Sequence, residues 1–118
     1  MSYIFEADGE TVWSPALRIG RLFVTMADTL SANAETAHGL SFMASDHVIV
    51  DVPVFTEFTR TLLDGSVMTH PVYRELARGF VALCLAVLDE AGADLPLGAE
   101  WRDEFAASRQ SLAPFMGD

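Results

Sequence analysis

Nine consecutive residues, Phe80–Leu88, carry no polar side chain. A stretch apolar on every side has no face to turn towards water, so it belongs in the middle of a core. It falls far short of the roughly 20 residues that span a bilayer, which leaves a buried central helix. Thr69-His70-Pro71 supplies its start, with a polar capping residue and a proline in the first turn. Arg74, Glu75 and Arg78 mark a partly exposed first half, and Gly92 stops the helix after about Ala91.

The remaining elements have to wrap that helix. Tyr3–Phe5 and Thr11–Trp13 are β-prone runs on either side of Asp8-Gly9, a pair suited to the positive φ angles of a type I′ hairpin turn. Ser14-Pro15 reads as the start of a helix over Pro15–Ala32, with Leu17, Phe23, Ala27 and Leu30 at near-helical spacing. Residues 33–45 are small and polar and read as a loop pinned by Phe42 and Met43. The run from Asp46 to Asp51 holds three successive β-branched residues and is predicted to be a strand paired with the hairpin. Asp51 then caps a helix with Pro53 in its first turn, an apolar stripe of Val54, Phe55, Phe58 and Leu62, and an end near Gly65. A last amphipathic helix covers Ala99–Ser111 through Trp101 and Phe105. The expected architecture is one compact α+β domain over residues 1–118. Its hairpin and one further strand form a small antiparallel sheet packed against about four helices.

Charge and residue usage exclude several chemistries. Seventeen acids face seven bases, a net charge of −10, and every base is an arginine. Without lysine there is no Schiff base, no lysine-anchored pyridoxal phosphate and no P-loop, and neither G-x-G-x-x-G, G-x-S-x-G nor C-x-x-C occurs. Cys84 is the one cysteine, which excludes an internal disulfide and a cysteine-rich metal site. Inside the apolar run it is expected to act as a small buried hydrophobe. Excess negative charge repels nucleic acid phosphates and anionic lipid, so neither partner is expected. The amino terminus lacks the basic and apolar regions of a secretory signal, which points to the cytoplasm. No cofactor or metal is expected.

Four groups of residues are candidate sites. His47 with Asp46, Asp51 and His38 could hold a divalent ion or form a histidine–carboxylate general base, although the spacing matches no ligand motif. The plainer reading makes His47 and Asp46 strand-edge residues and Asp51 a helix cap. Glu6, Asp8 and Glu10 resemble a calcium loop only superficially, because their flanks are strands, and read as a solvated turn. Ser14, Arg18 and Arg21 gather at a helix start where an anion could dock, against the alternative that both arginines pair with some of the many acids. Acids from Asp89 to Glu104, above all Asp103 and Glu104, form a face that could steer a protein partner or merely maintain solubility.

The segments Tyr3-Ile4-Phe5, Val12-Trp13-Ser14-Pro15-Ala16, Met43-Ala44-Ser45-Asp46, Pro53-Val54-Phe55 and His70-Pro71-Val72 give most of the chain a resemblance to short actinobacterial proteins classed as a domain of unknown function. The resemblance implies an actinomycete source and assigns no chemistry to any of these positions.

At 51% hydrophobic residues, the chain has more apolar side chain than so small a domain readily buries. An oligomer interface or a ligand pocket should absorb the excess, and the tail Leu112–Met116 is a candidate for packing on a second subunit. Two functions follow. The first is a non-catalytic interaction protein: a small acidic cytoplasmic dimer that binds another protein, as immunity or accessory subunits do. The second is a small-molecule-binding protein or cofactor-free enzyme of specialised metabolism, with an apolar pocket centred on His47 beneath the central helix.

Overall fold

A computed structural model describes residues 2–117, and the side chains of all of these except Ser66 and Val67. Asp8 and Gly9 both adopt positive φ, 53° and 82°, and fold β1 (Ile4–Ala7) antiparallel onto β2 (Glu10–Trp13), as the Asp-Gly pair predicts. Helix α1 follows at Leu17–Ala34, displaced two residues from the expected span at each end. Pro15 stays outside it because its carbonyl accepts the Tyr3 amide at 2.8 Å, while Ala16 bridges to Ser2. The helix therefore begins beyond the reach of Ser14, and its N-cap, Ala16, offers no side-chain acceptor.

The segment expected to be a loop contains a strand. β3 (Leu40–Ala44) pairs antiparallel with β4 (His47–Val50), and β1 lies on the other side of β4, parallel to it. The sheet is thus four-stranded and mixed, in the order β2-β1-β4-β3, instead of three-stranded and antiparallel. Helix α1 is the cause: it carries the chain across the sheet, so that β3 forms the far edge and β4 returns beside β1. Phe42 and Met43 do not anchor a loop. They are exposed on that outer edge, where the pairing slips by one residue.

Asp51 caps α2 (Val52–Asp64) by accepting the Val54 amide, and Phe55, Phe58 and Leu62 face inward as expected. A one-turn helix α3 (Ser66–Thr69) precedes α4 (Pro71–Glu90), where the His70 ring accepts the Val72 amide at 3.3 Å. From Phe80 to Leu88 every residue but Leu83 is buried, which makes α4 the core helix. Helix α5 (Ala99–Leu112) ends in a short 3-10 turn (Ala113–Phe115). Among the described residues, no helix is long and apolar enough to cross a membrane.

Aromatic rings join the layers. Phe23 of α1 stacks on Phe80 of α4 at 4.8 Å, Phe58 of α2 meets Phe80 edge-on at 6.2 Å, and Phe5 and Trp13 bring the sheet against Phe23. One sheet face is buried through Phe5, Ala7, Val48 and Val50, whereas the opposite face leaves Ile4, Glu6, His47 and Ile49 partly exposed. Most of the tail packs on its own chain, while Phe115 stays exposed. Gly117 donates its amide to the Val12 carbonyl at 2.8 Å along β2, and Leu112 and Met116 lie against the core.

Candidate functional site

The three histidines of the chain are each engaged in local structure. His47 lies on the open sheet face with its Nε2 3.0 Å from Glu6 Oε1, so a histidine–carboxylate pair exists, although not with the expected acids. Asp46 contributes its backbone carbonyl, which accepts the Ile4 amide at 2.8 Å, and Asp51 is the α2 cap. His38 accepts the Leu40 amide on Nδ1 at 2.9 Å, which fixes the proton on Nε2 and directs it to Asp28 at 2.7 Å. That arrangement ties the entry of β3 to α1. Among the described residues there is no group of three or more metal-ligating side chains. Glu6 was hidden in the sequence as part of a turn, because only the parallel pairing of β1 with β4 brings it to His47.

The acidic carboxy-terminal face is divided. Glu104 turns inward between Arg78 Nε at 2.9 Å and Arg74 at 3.2 Å, and both oxygens of Asp89 accept from the Nε–Nη2 edge of the Arg109 guanidinium. Trp101 lies under Arg74, with its ring centre 4.7 Å from the guanidinium carbon, and Phe105 beneath Arg78. These contacts clamp α5 onto α4, while Asp103 remains exposed without an ion-pair partner among the described residues. Hydrogen bonds from Arg78 and then Arg74 hold the Glu104 carboxyl below the usual carboxylate range. Its stabilising effect is present above the unfolded carboxylate pKa and is lost as pH falls through the lower folded value. Glu104→Gln should therefore melt at a lower temperature than wild type at pH 7, with a smaller gap at an acidic pH below the ordinary carboxylate range. Circular dichroism melts at the two pH values check this, and an equal gap at both would refute it.

Arg60, Arg74, Arg78 and Arg109 pair with acids; Arg102 on α5 has no ion-pair partner among the described residues, and neither do Arg18 and Arg21. Both stand exposed on the first turns of α1 and flank Ile19 and Leu22. The expectation that they are absorbed by the many acids is therefore not met.

The apolar excess appears between α1 and α4. The two helices run antiparallel and diverge enough to leave two adjoining grooves that share Met26 and Leu76. One, of about 370 Å³, lies between Thr25, Thr29 and Leu30 of α1 and Tyr73 and Ala77 of α4, and the Tyr73 hydroxyl donates to Asn33 Oδ1 at its end. The other, of about 400 Å³, continues over Phe23 and Phe80 to Ile19, Leu22, Gly79 and Leu83. Ile19 is 52%, Leu22 60%, Val72 63% and Leu76 75% exposed, so large aliphatic side chains stand along both helices. Leu17, Phe23, Ala27 and Leu30 mark only the inward stripe of α1. Ile19-Leu22-Met26 and Val72-Leu76-Gly79-Leu83, at alternating spacings of three and four, were the signal for a second, outward stripe. His47 lines neither groove.

Cys84 is fully buried, and burial pushes its thiol pKa well up, which removes it from nucleophilic chemistry. No curated protein and no solved structure matches the chain. One family description matches over residues 1–118, and the chain accordingly belongs to the family of unknown function DUF6086.

Proposed function

We propose that this chain is a non-catalytic interaction protein of the actinobacterial cytoplasm that docks another polypeptide, in the manner of an accessory or immunity subunit. The observation that carries this reading is the aliphatic face of α1 and α4. Three large side chains, Ile19, Leu22 and Leu76, each more than half exposed, line a groove whose floor is the aromatic core. A folded domain seldom leaves a contiguous apolar surface of this kind without a use, and helices offer such stripes to other helices. The remaining surface is strongly acidic and keeps the unbound chain in solution.

A small apolar ligand is the second reading. About 370 Å³ falls within the range of small-molecule sites, and Asn33 with Tyr73 supplies a polar end. Its centre would be this groove and not His47.

A photoreactive benzoylphenylalanine in place of Leu76, expressed in the native host, separates the two. The docking reading expects a light-dependent adduct of protein size that a probe at exposed Asp94 does not form. An adduct of a few hundred daltons would favour the ligand, and no adduct at position 76 would defeat both.

A further inference from the structure

We infer that the polypeptide seated on the α1–α4 face is a second copy of this chain, which rests on the docking reading above and names its partner. The charges along the groove point to this partner. Its α1 rim carries Arg18 and Arg21, and its α4 rim carries Glu75, which is also exposed and without an ion-pair partner among the described residues. Arg18 and Arg21, one turn apart beside an apolar stripe and unpaired among the described residues of a chain with seventeen acids, are free to meet acids of a partner docked on that stripe. A uniformly acidic partner would satisfy them but would set like charge against Glu75, and a basic partner would do the reverse. An isologous twofold contact meets both demands at once, since each copy offers what the other lacks.

The shape agrees. α1 has 18 residues and α4 has 20, so each is about 27–30 Å long, close to the 28 Å middle dimension of the molecule. Two helix faces of that length, each roughly 10 Å wide, offer about 570 Å² per partner, which clears the roughly 1,000 Å² in total that a specific interface needs. Laying α1 of one copy across α4 of the other closes a four-helix arrangement. Ile19, Leu22 and Leu76 interdigitate at its centre, and Arg21 is brought towards Glu75 of the second copy. The absence of a Cβ at Gly79 lets the facing helix come close. A Cβ at that position would meet nothing within 4 Å in the single chain.

Sedimentation velocity over a concentration series tests this on the untagged full chain. Wild type is expected to be a dimer, and Leu76→Asp, at an exposed position that leaves the circular dichroism spectrum unchanged, should weaken it by about thirtyfold or more. Arg21→Glu and Glu75→Arg should each weaken the dimer by about tenfold, and the double variant should recover most of that loss. A wild type monomeric at every concentration, or a double variant no better than its singles, would overturn the inference. The Leu76 photoprobe then tells which reading has failed. Adducts to a different protein keep the docking function and remove the second copy, and no adduct removes both.

Discussion

Phe80→Ala is expected to lower the unfolding free energy by about 4 kcal/mol, a large part of the roughly 5–15 kcal/mol that holds a typical domain together. Phe80 is 2% exposed and is the ring on which three helices meet. Phe23 stacks on it from α1, Phe58 meets it edge-on from α2, and α4 supplies it. Truncation removes both aromatic contacts and opens a cavity that two rigid rings cannot collapse to fill. Urea denaturation at one fixed protein concentration measures the change, because dimerisation makes stability concentration-dependent. A loss below about 1 kcal/mol would mean that the core is centred elsewhere.

Gly20→Ala is expected to destabilise by about 2 kcal/mol, against the usual preference of a helix interior for alanine. Gly20 lies within α1, and a Cβ added there would fall 2.6 Å from Tyr3 Cβ and Cδ1. The Tyr3 ring is buried, and its amide is tied to the Pro15 carbonyl at 2.8 Å, so it cannot simply move aside. Overpacking costs more than the roughly 1 kcal/mol that alanine gains in helix propensity. An unchanged or raised urea midpoint would contradict this contact between α1 and Tyr3, the residue that precedes β1.

These two positions also show what could and could not be read from residues alone. The central helix was legible because Phe80–Leu88 leaves no polar face, and α2 because Asp51 and Pro53 are local signals. The hairpin at Asp8-Gly9 was legible for the same reason: the φ angles it needs are a property of two residues. β3 was not, because Leu40-Ser41-Phe42-Met43-Ala44 is short and set among small polar residues, and an edge strand needs only one partner. The parallel pairing of β1 with β4 depends on where α1 delivers the chain, which no local pattern encodes, and with it went the Glu6–His47 pair. The start of α1 was misplaced because Ser14-Pro15 looks like a cap, while the Tyr3 amide claims the Pro15 carbonyl from the other end of the hairpin.

The candidate sites divide along the same line. Asp51 as a cap and Cys84 as a buried thiol were readable from their neighbours. Whether Arg18, Arg21 and Glu104 were paired was not, since charge balance says only that acids outnumber bases. Glu104 is taken up by Arg74 and Arg78, whereas Arg18 and Arg21 are left facing outward beside the aliphatic stripe. An apolar excess was foreseen, and the tail expected to carry it divides: Leu112 and Met116 pack on the core beside the Gly117 contact with β2, whereas Phe115 stands 73% exposed.

Native mass spectrometry of untagged protein, purified without chelators, addresses the central claim that the surplus apolar surface is an interface between polypeptides. The expected spectrum shows two 12.9 kDa chains held together and nothing else bound. A single chain carrying a reproducible small-molecule adduct would contradict it and make the α1–α4 groove a ligand site.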